Sequence, residues 1–208
     1  MNAGKSVSGL FALAACLLAA GCDSKNPLSD PAQSKPDPRL AGIWRVVNED
    51  GDTSYCHVGR AGDKLPPSVM VAVCVTHTKD GKVEGGGQML LFPTVLGNTP
   101  YLNVAGCSNG DNASHLTKMQ QEGWKPGLLE SYSICKYRID GDKLLLWLMA
   151  EAAKKQAIAS GKIKGSLVGP TKIGPSVFTD STENVARFVA AAGDSLFEKE
   201  PKRLERVK

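Results

Sequence analysis

The stretch Tyr132-Ser133-Ile134-Cys135-Lys136-Tyr137-Arg138-Ile139-Asp140-Gly141-Asp142-Lys143-Leu144-Leu145-Leu146-Trp147-Leu148-Met149 decides the fold class. Two runs of strand length, rich in aromatic and aliphatic residues, flank Asp140-Gly141, a pair suited to the positive-φ positions of a tight hairpin turn. The same punctuation recurs at Asp50-Gly51 and Asp80-Gly81. Ser68 to Thr78 reads as another strand, with Val69, Val71, Val73 and Val75 on one face and Met70, Ala72, Cys74 and Thr76 on the other. Both faces are mostly apolar there and in Leu144 to Met149, so these strands are expected to be covered on both sides.

Further strands are expected at Gly42 to Asn48, Ser54 to Gly59, Gln88 to Leu96, Tyr101 to Ala105, Lys162 to Val168 and Arg203 to Val207. About eight short antiparallel strands make a barrel or a sandwich. Two short helices interrupt them: Glu151 to Ser160, ending at Gly161, and Thr182 to Ala192, ending at Gly193. Val185, Phe188, Val189 and Ala192 share one face of the second, a packing stripe. Asn112 to Gly123 fits either a helix or a loop.

The chain of 208 residues has room for one domain of ordinary size. Lys and Arg number 25 against 21 Asp and Glu; removing residues 1 to 21, where Lys5 is the only charge, leaves 24 against 21. Such a small, dispersed excess does not suit nucleic acid, and the terminal Lys202, Arg203, Arg206 and Lys208 alternate with Glu200 and Glu205.

Lys5, the apolar run from Leu10 to Ala20 and the small residues that follow have the form of an export signal, too short for a comfortable transmembrane helix. Leu18-Ala19-Ala20-Gly21-Cys22 resembles the lipobox of bacterial lipoproteins, although Ala19 stands where leucine is usual and Leu18 lies one place early. The resemblance implies cleavage before Cys22, diacylglycerol on its sulfur and an acylated amine, so that the protein is held at a membrane outside the cytoplasm. An aspartate directly after the acylated cysteine, here Asp23, resembles the inner-membrane retention signal of enterobacterial lipoproteins. Residues 22 to 39 contain Pro27, Pro31, Pro36 and Pro38 and read as an extended tether, with the folded domain spanning 40 to 208.

Export makes disulfides possible among Cys56, Cys74, Cys107 and Cys135. Four thiols allow three pairings; the expectation is that neighbours join, Cys56 with Cys74 and Cys107 with Cys135. No metal site is expected, because Cys74 and His77 would point to opposite faces of a strand and Cys56 and His57 are adjacent.

Gly42-Ile43-Trp44 at the head of the first strand resembles the G-x-W signature of lipocalins and related calycin barrels. The resemblance implies an up-and-down barrel in which Trp44 plugs the closed end and a late arginine, Arg203 or Arg206, packs over it. The helix at 151 to 160 departs from the simple lipocalin plan and leaves closure of the barrel open. A barrel of about eight strands encloses either its own side chains or one small hydrophobic ligand.

No enzyme is expected: the sequence has no G-x-S-x-G, H-E-x-x-H, Walker A or G-x-G-x-x-G motif and calls for no cofactor. His57, His77 and His115 lie far apart in sequence. The reading that follows is a membrane-anchored lipoprotein that takes a small hydrophobic ligand or, alternatively, a cell-envelope interaction protein with a filled core.

Overall fold

The computed structural model describes residues 23–48, 50–106, 110–125, 129, 131–167 and 176–208. The export signal and Cys22 lie outside these residues, as does Cys107. Strands β1 (Gly42–Val47), β2 (Thr53–Arg60), β3 (Met70–His77), β4 (Val83–Leu96), β5 (Thr99–Gly106), β6 (Ser133–Asp140), β7 (Lys143–Leu148) and β10 (Lys202–Arg206) close into a barrel. Its order is β1-β10-β7-β6-β5-β4-β3-β2, with every neighbouring pair antiparallel. The sheet therefore closes completely despite the additional helix.

The β6–β7 hairpin has the register implied by its turn, with Asp140 opposite Lys143 and Cys135 opposite Leu148. Gly141 holds φ at 57°, a left-handed conformation that a side chain would strain. Alternation then sorts the residues: Cys135, Tyr137, Leu144, Leu146 and Leu148 join the barrel core, while Ile134 and Trp147 belong to a cluster outside it.

Two outer layers account for the second apolar face. Helix α1 (Gly110–Glu122) buries Leu116 and Met119 against Leu90, Phe92 and Ala105 on the outside of β4 and β5. Helices α2 (Glu151–Ala159) and α3 (Thr182–Ala192) pack with the small pair β8 (Gly165–Ser166) and β9 (Val177–Phe178) over Tyr101, Ile134 and Trp147. Val185 and Val189 of the α3 stripe are fully buried there. Among the described residues three helices thus dress the barrel, the segment Asn112 to Gly123 that fitted either a helix or a loop falling on α1. The stretch expected as a strand from Lys162 to Val168 contributes only β8, which pairs with β9 and not with the barrel.

The expected tether is corrected by the structure, because residues 23 to 40 are packed along the domain. Asp23 and Ser24 are 1% and 0% exposed. The backbone NH groups of both donate to Tyr132 O, at 2.8 and 3.0 Å, and Phe178 NH donates to Asp23 O at 2.8 Å. Leu28 NH donates to Asn103 Oδ1, and Ser68 Oγ donates to Pro31 O.

Prolines had argued for a spacer, yet Pro31 and Pro38 each open a short 3-10 turn whose preceding aspartate caps it. Proline is favoured at that position, where its missing NH leaves no bond unmade. Leu28, Pro31 and Leu40 supply the buried apolar surface that the polar composition had concealed.

Candidate functional site

The residues that carried the lipocalin resemblance come together at the start of β1. Trp44 is completely buried, and its indole NH donates to Leu40 O at 2.8 Å. The Arg206 guanidinium lies 4.3 Å from the centre of the indole ring, within cation–π range. It also donates to Ala41 O at 2.6 Å and to Arg39 O, fastening the 3-10 turn Pro38–Leu40 beside Trp44.

Gly42 has φ 131°, and a Cβ there would run into Arg206 Nη1, so the glycine makes room for the arginine. Of the two candidate arginines, alternation selects Arg206: it falls on the side of β10 that carries the inward Leu204, and the exposed Arg203 falls on the other.

Cys56 and Cys74 sit directly opposite each other on β2 and β3 and form a disulfide inside the barrel. Cys135 is a free thiol, fully buried in the same interior, and burial pushes its pKa far above the ordinary thiol value. Its expected partner, Cys107, lies outside the described residues.

Apolar side chains fill most of the remaining interior. Leu40, Trp44, the disulfide, Met89, Leu102 and Leu146 line a cavity of about 30 Å³ with no polar lining. A cavity that admits benzene is about 150 Å³, so this one is closer to a packing gap than to a binding chamber. A larger hollow, about 520 Å³ and open to solvent, lies outside between α2 and α3, among Ala153, Ala157, Lys162, Phe188 and Leu196.

The most charged part of the interior architecture is one that sequence reasoning missed. Lys154 on α2 is fully buried, and its Nζ lies 2.7 Å from Asp23 Oδ1 and 2.9 Å from Glu151 Oε2. Asp23 Oδ2 accepts the Ile134 NH at 2.8 Å. Burial raises the Asp23 pKa from 3.8 to about 6, against the pull of Lys154. Burial also opposes the charge on Lys154, but Asp23 and Glu151 outweigh it and hold the ammonium above its ordinary pKa. The group fixes the start of the packed segment onto α2 and β6. A lysine in an alanine-rich helix gave no sequence signal of burial, and the partner lies 131 residues away.

His57 and His77 stand on exposed or half-exposed positions of β2 and β3, and the His77 ring meets Tyr55 edge-on. The side chain of His115 is outside the described residues. Among the described residues, no three His, Cys, Asp or Glu side chains converge as a metal-holding group, and no helix is long and apolar enough to cross a membrane. Compared with family descriptions, curated proteins and solved structures, the chain finds no match in any of the three.

Proposed function

We propose that this chain is a lipid-anchored protein of the bacterial cell envelope, non-enzymatic, whose filled barrel is a rigid scaffold acting through its outer surface. The carrying observation is the contrast between an interior gap of about 30 Å³ and an outer hollow of about 520 Å³. The lipobox-like sequence ending at Cys22 supports the anchor. The Cys56–Cys74 disulfide suits an oxidising compartment outside the cytoplasm.

The Asp23 carboxylate has a structural task in its ion pair with Lys154, which accounts for the residue without a sorting role. The protein therefore sits on an extracytoplasmic membrane surface. The test is the intact mass of the protein extracted from membranes. A mature chain beginning at Cys22 with added diacylglycerol and acyl mass is expected; an unmodified amino terminus overturns the anchor.

A second reading, one small hydrophobic ligand within the barrel, has in its favour the wholly apolar lining of the interior. It requires side chains lining the gap of about 30 Å³ to move aside. Native mass spectrometry separates the two: the filled scaffold travels at the mass of the acylated chain alone, and a bound ligand adds its own mass.

A further inference from the structure

We propose that the patch formed by residues 23 to 25, β8 and β9 faces the bilayer and lies against anionic phospholipid headgroups. This rests on the reading of Cys22 as acylated. Asp23, the next residue, is fixed on all sides: its NH to Tyr132 O, its carbonyl to Phe178 NH, and its carboxylate to Lys154 and to Ile134 NH. Neighbouring Cα atoms are about 3.8 Å apart, so an acyl anchor on Cys22 leaves no length of free chain between lipid and domain. A free tether would allow every orientation. A docked one fixes which face meets the membrane.

The strand pairing identifies that face. Ser24 bridges Phe178 in parallel, and Phe178 pairs on its other side with Gly165, so residues 23 to 25, 177 to 179 and 164 to 166 lie side by side. Lys25 NH donates to Phe178 O and Thr179 NH donates to Lys164 O. Lys25, Lys162 and Lys164 are exposed on or beside this patch, with Asp180 as the nearby opposing charge. Leu167, immediately after β8, leaves 48% of its surface exposed.

Lysines held within a Debye length of an anionic surface are attracted to it, and an apolar side chain among them can enter the headgroup layer. The competing face is the row Val47, Thr53, His77 and Val83 across β1 to β4, whose two valines are 55% and 64% exposed. Residues 23 to 25 bridge Tyr132 and Phe178 rather than these strands, and the exposed Lys79 and Lys82 beside the row are interleaved with Asp52, Asp80 and Glu84.

The experiment uses the full acylated protein in vesicles of phosphatidylglycerol and phosphatidylethanolamine doped with a phospholipid carrying a photoreactive headgroup. After illumination, adducts are mapped by peptide mass spectrometry, and the mass of the amino-terminal peptide is read in the same sample. The expected result is an acylated Cys22 with adducts several-fold more abundant on peptides holding Lys25 and Lys162 to Leu167 than on those holding Val47 or Val83. An acylated Cys22 with adducts concentrated on Val47 and Val83, or spread evenly, overturns the orientation while leaving the anchor standing. An unmodified Cys22 overturns both.

Discussion

Lys154 Nζ lies 2.7 Å from Asp23 Oδ1 across 131 residues of chain, and neither side chain reaches solvent. The pair bolts the start of the packed amino-terminal segment onto α2, and α2 onto β6 through the Ile134 NH. Removing one partner of a buried ion pair leaves an uncompensated charge, at a cost of about 3 to 5 kcal/mol. Lys154→Met, which strands the Asp23 carboxylate, is expected to lower stability by about that amount in urea unfolding; Asp23→Asn should cost less, because Glu151 still faces Lys154, and the double substitution should recover most of the Lys154→Met loss. Additive losses in the double variant would mean that the two groups do not act as a pair.

The pH dependence of the pair has a definite sign. Asp23 titrates at about 6 in the folded protein and at 3.8 when unfolded, so between those values the native state holds the proton more tightly. Its contribution to stability is greatest at low pH, falls as pH rises through that window and is flat above it. Asp37 and Glu151 have lowered pKa values and act oppositely, losing their contribution as pH falls, so the stability of the wild type must be compared with that of Asp23→Asn at each pH. The wild-type advantage over Asp23→Asn is expected to shrink between about pH 4 and 6.5 and then level off. A difference independent of pH would remove Asp23 as its source.

In the barrel core, Trp44→Ala is expected to cost about 3 to 5 kcal/mol, the usual range for a fully buried large aromatic. Gly42→Ala should destabilise by more than about 1 kcal/mol, because φ is 131° and the new methyl meets Arg206. Part of that loss is expected to return in Gly42→Ala with Arg206→Ala, since the clash is gone although the cation–π contact is gone too. Full additivity, measured by denaturant midpoint, would place Arg206 elsewhere than over Gly42 and Trp44.

The Cys56–Cys74 bridge closes a loop with a sequence separation of 18. By the chain-entropy account its removal in Cys56→Ala with Cys74→Ala costs about 3 kcal/mol. Cys135, buried and with its thiolate disfavoured, is expected to resist an alkylating reagent in the native protein and to react in urea. Rapid native alkylation of Cys135 would show that the barrel opens.

Much of the barrel could be read from the chain because its signals are local. Asp-Gly turns and the alternation in Ser68 to Thr78 and Tyr132 to Met149 specify hairpins, and strands apolar on both faces foretell layers on both sides. The pairing of Cys56 with Cys74 follows from the β2–β3 hairpin, which places them opposite each other. What escaped was non-local. Residues 23 to 39 are polar and proline-rich, and their burial depends on partners such as Asn103, Ser68 and Tyr132 that no local pattern connects to them. The buried lysine at 154 was hidden for the same reason. Whether the interior is hollow also depends on the sum of side-chain volumes in a closed sheet, which strand patterns alone leave undetermined.

The chain is folded from the first residue after Cys22, without a tether. Native-state hydrogen exchange of the Asp23 and Ser24 amides, both donating to Tyr132 O, tests it most directly when compared with the Ile134 amide. Protection of all three on a similar scale, lost together on unfolding, is expected. Exchange of Asp23 and Ser24 at free-peptide rates while Ile134 stays protected would contradict it.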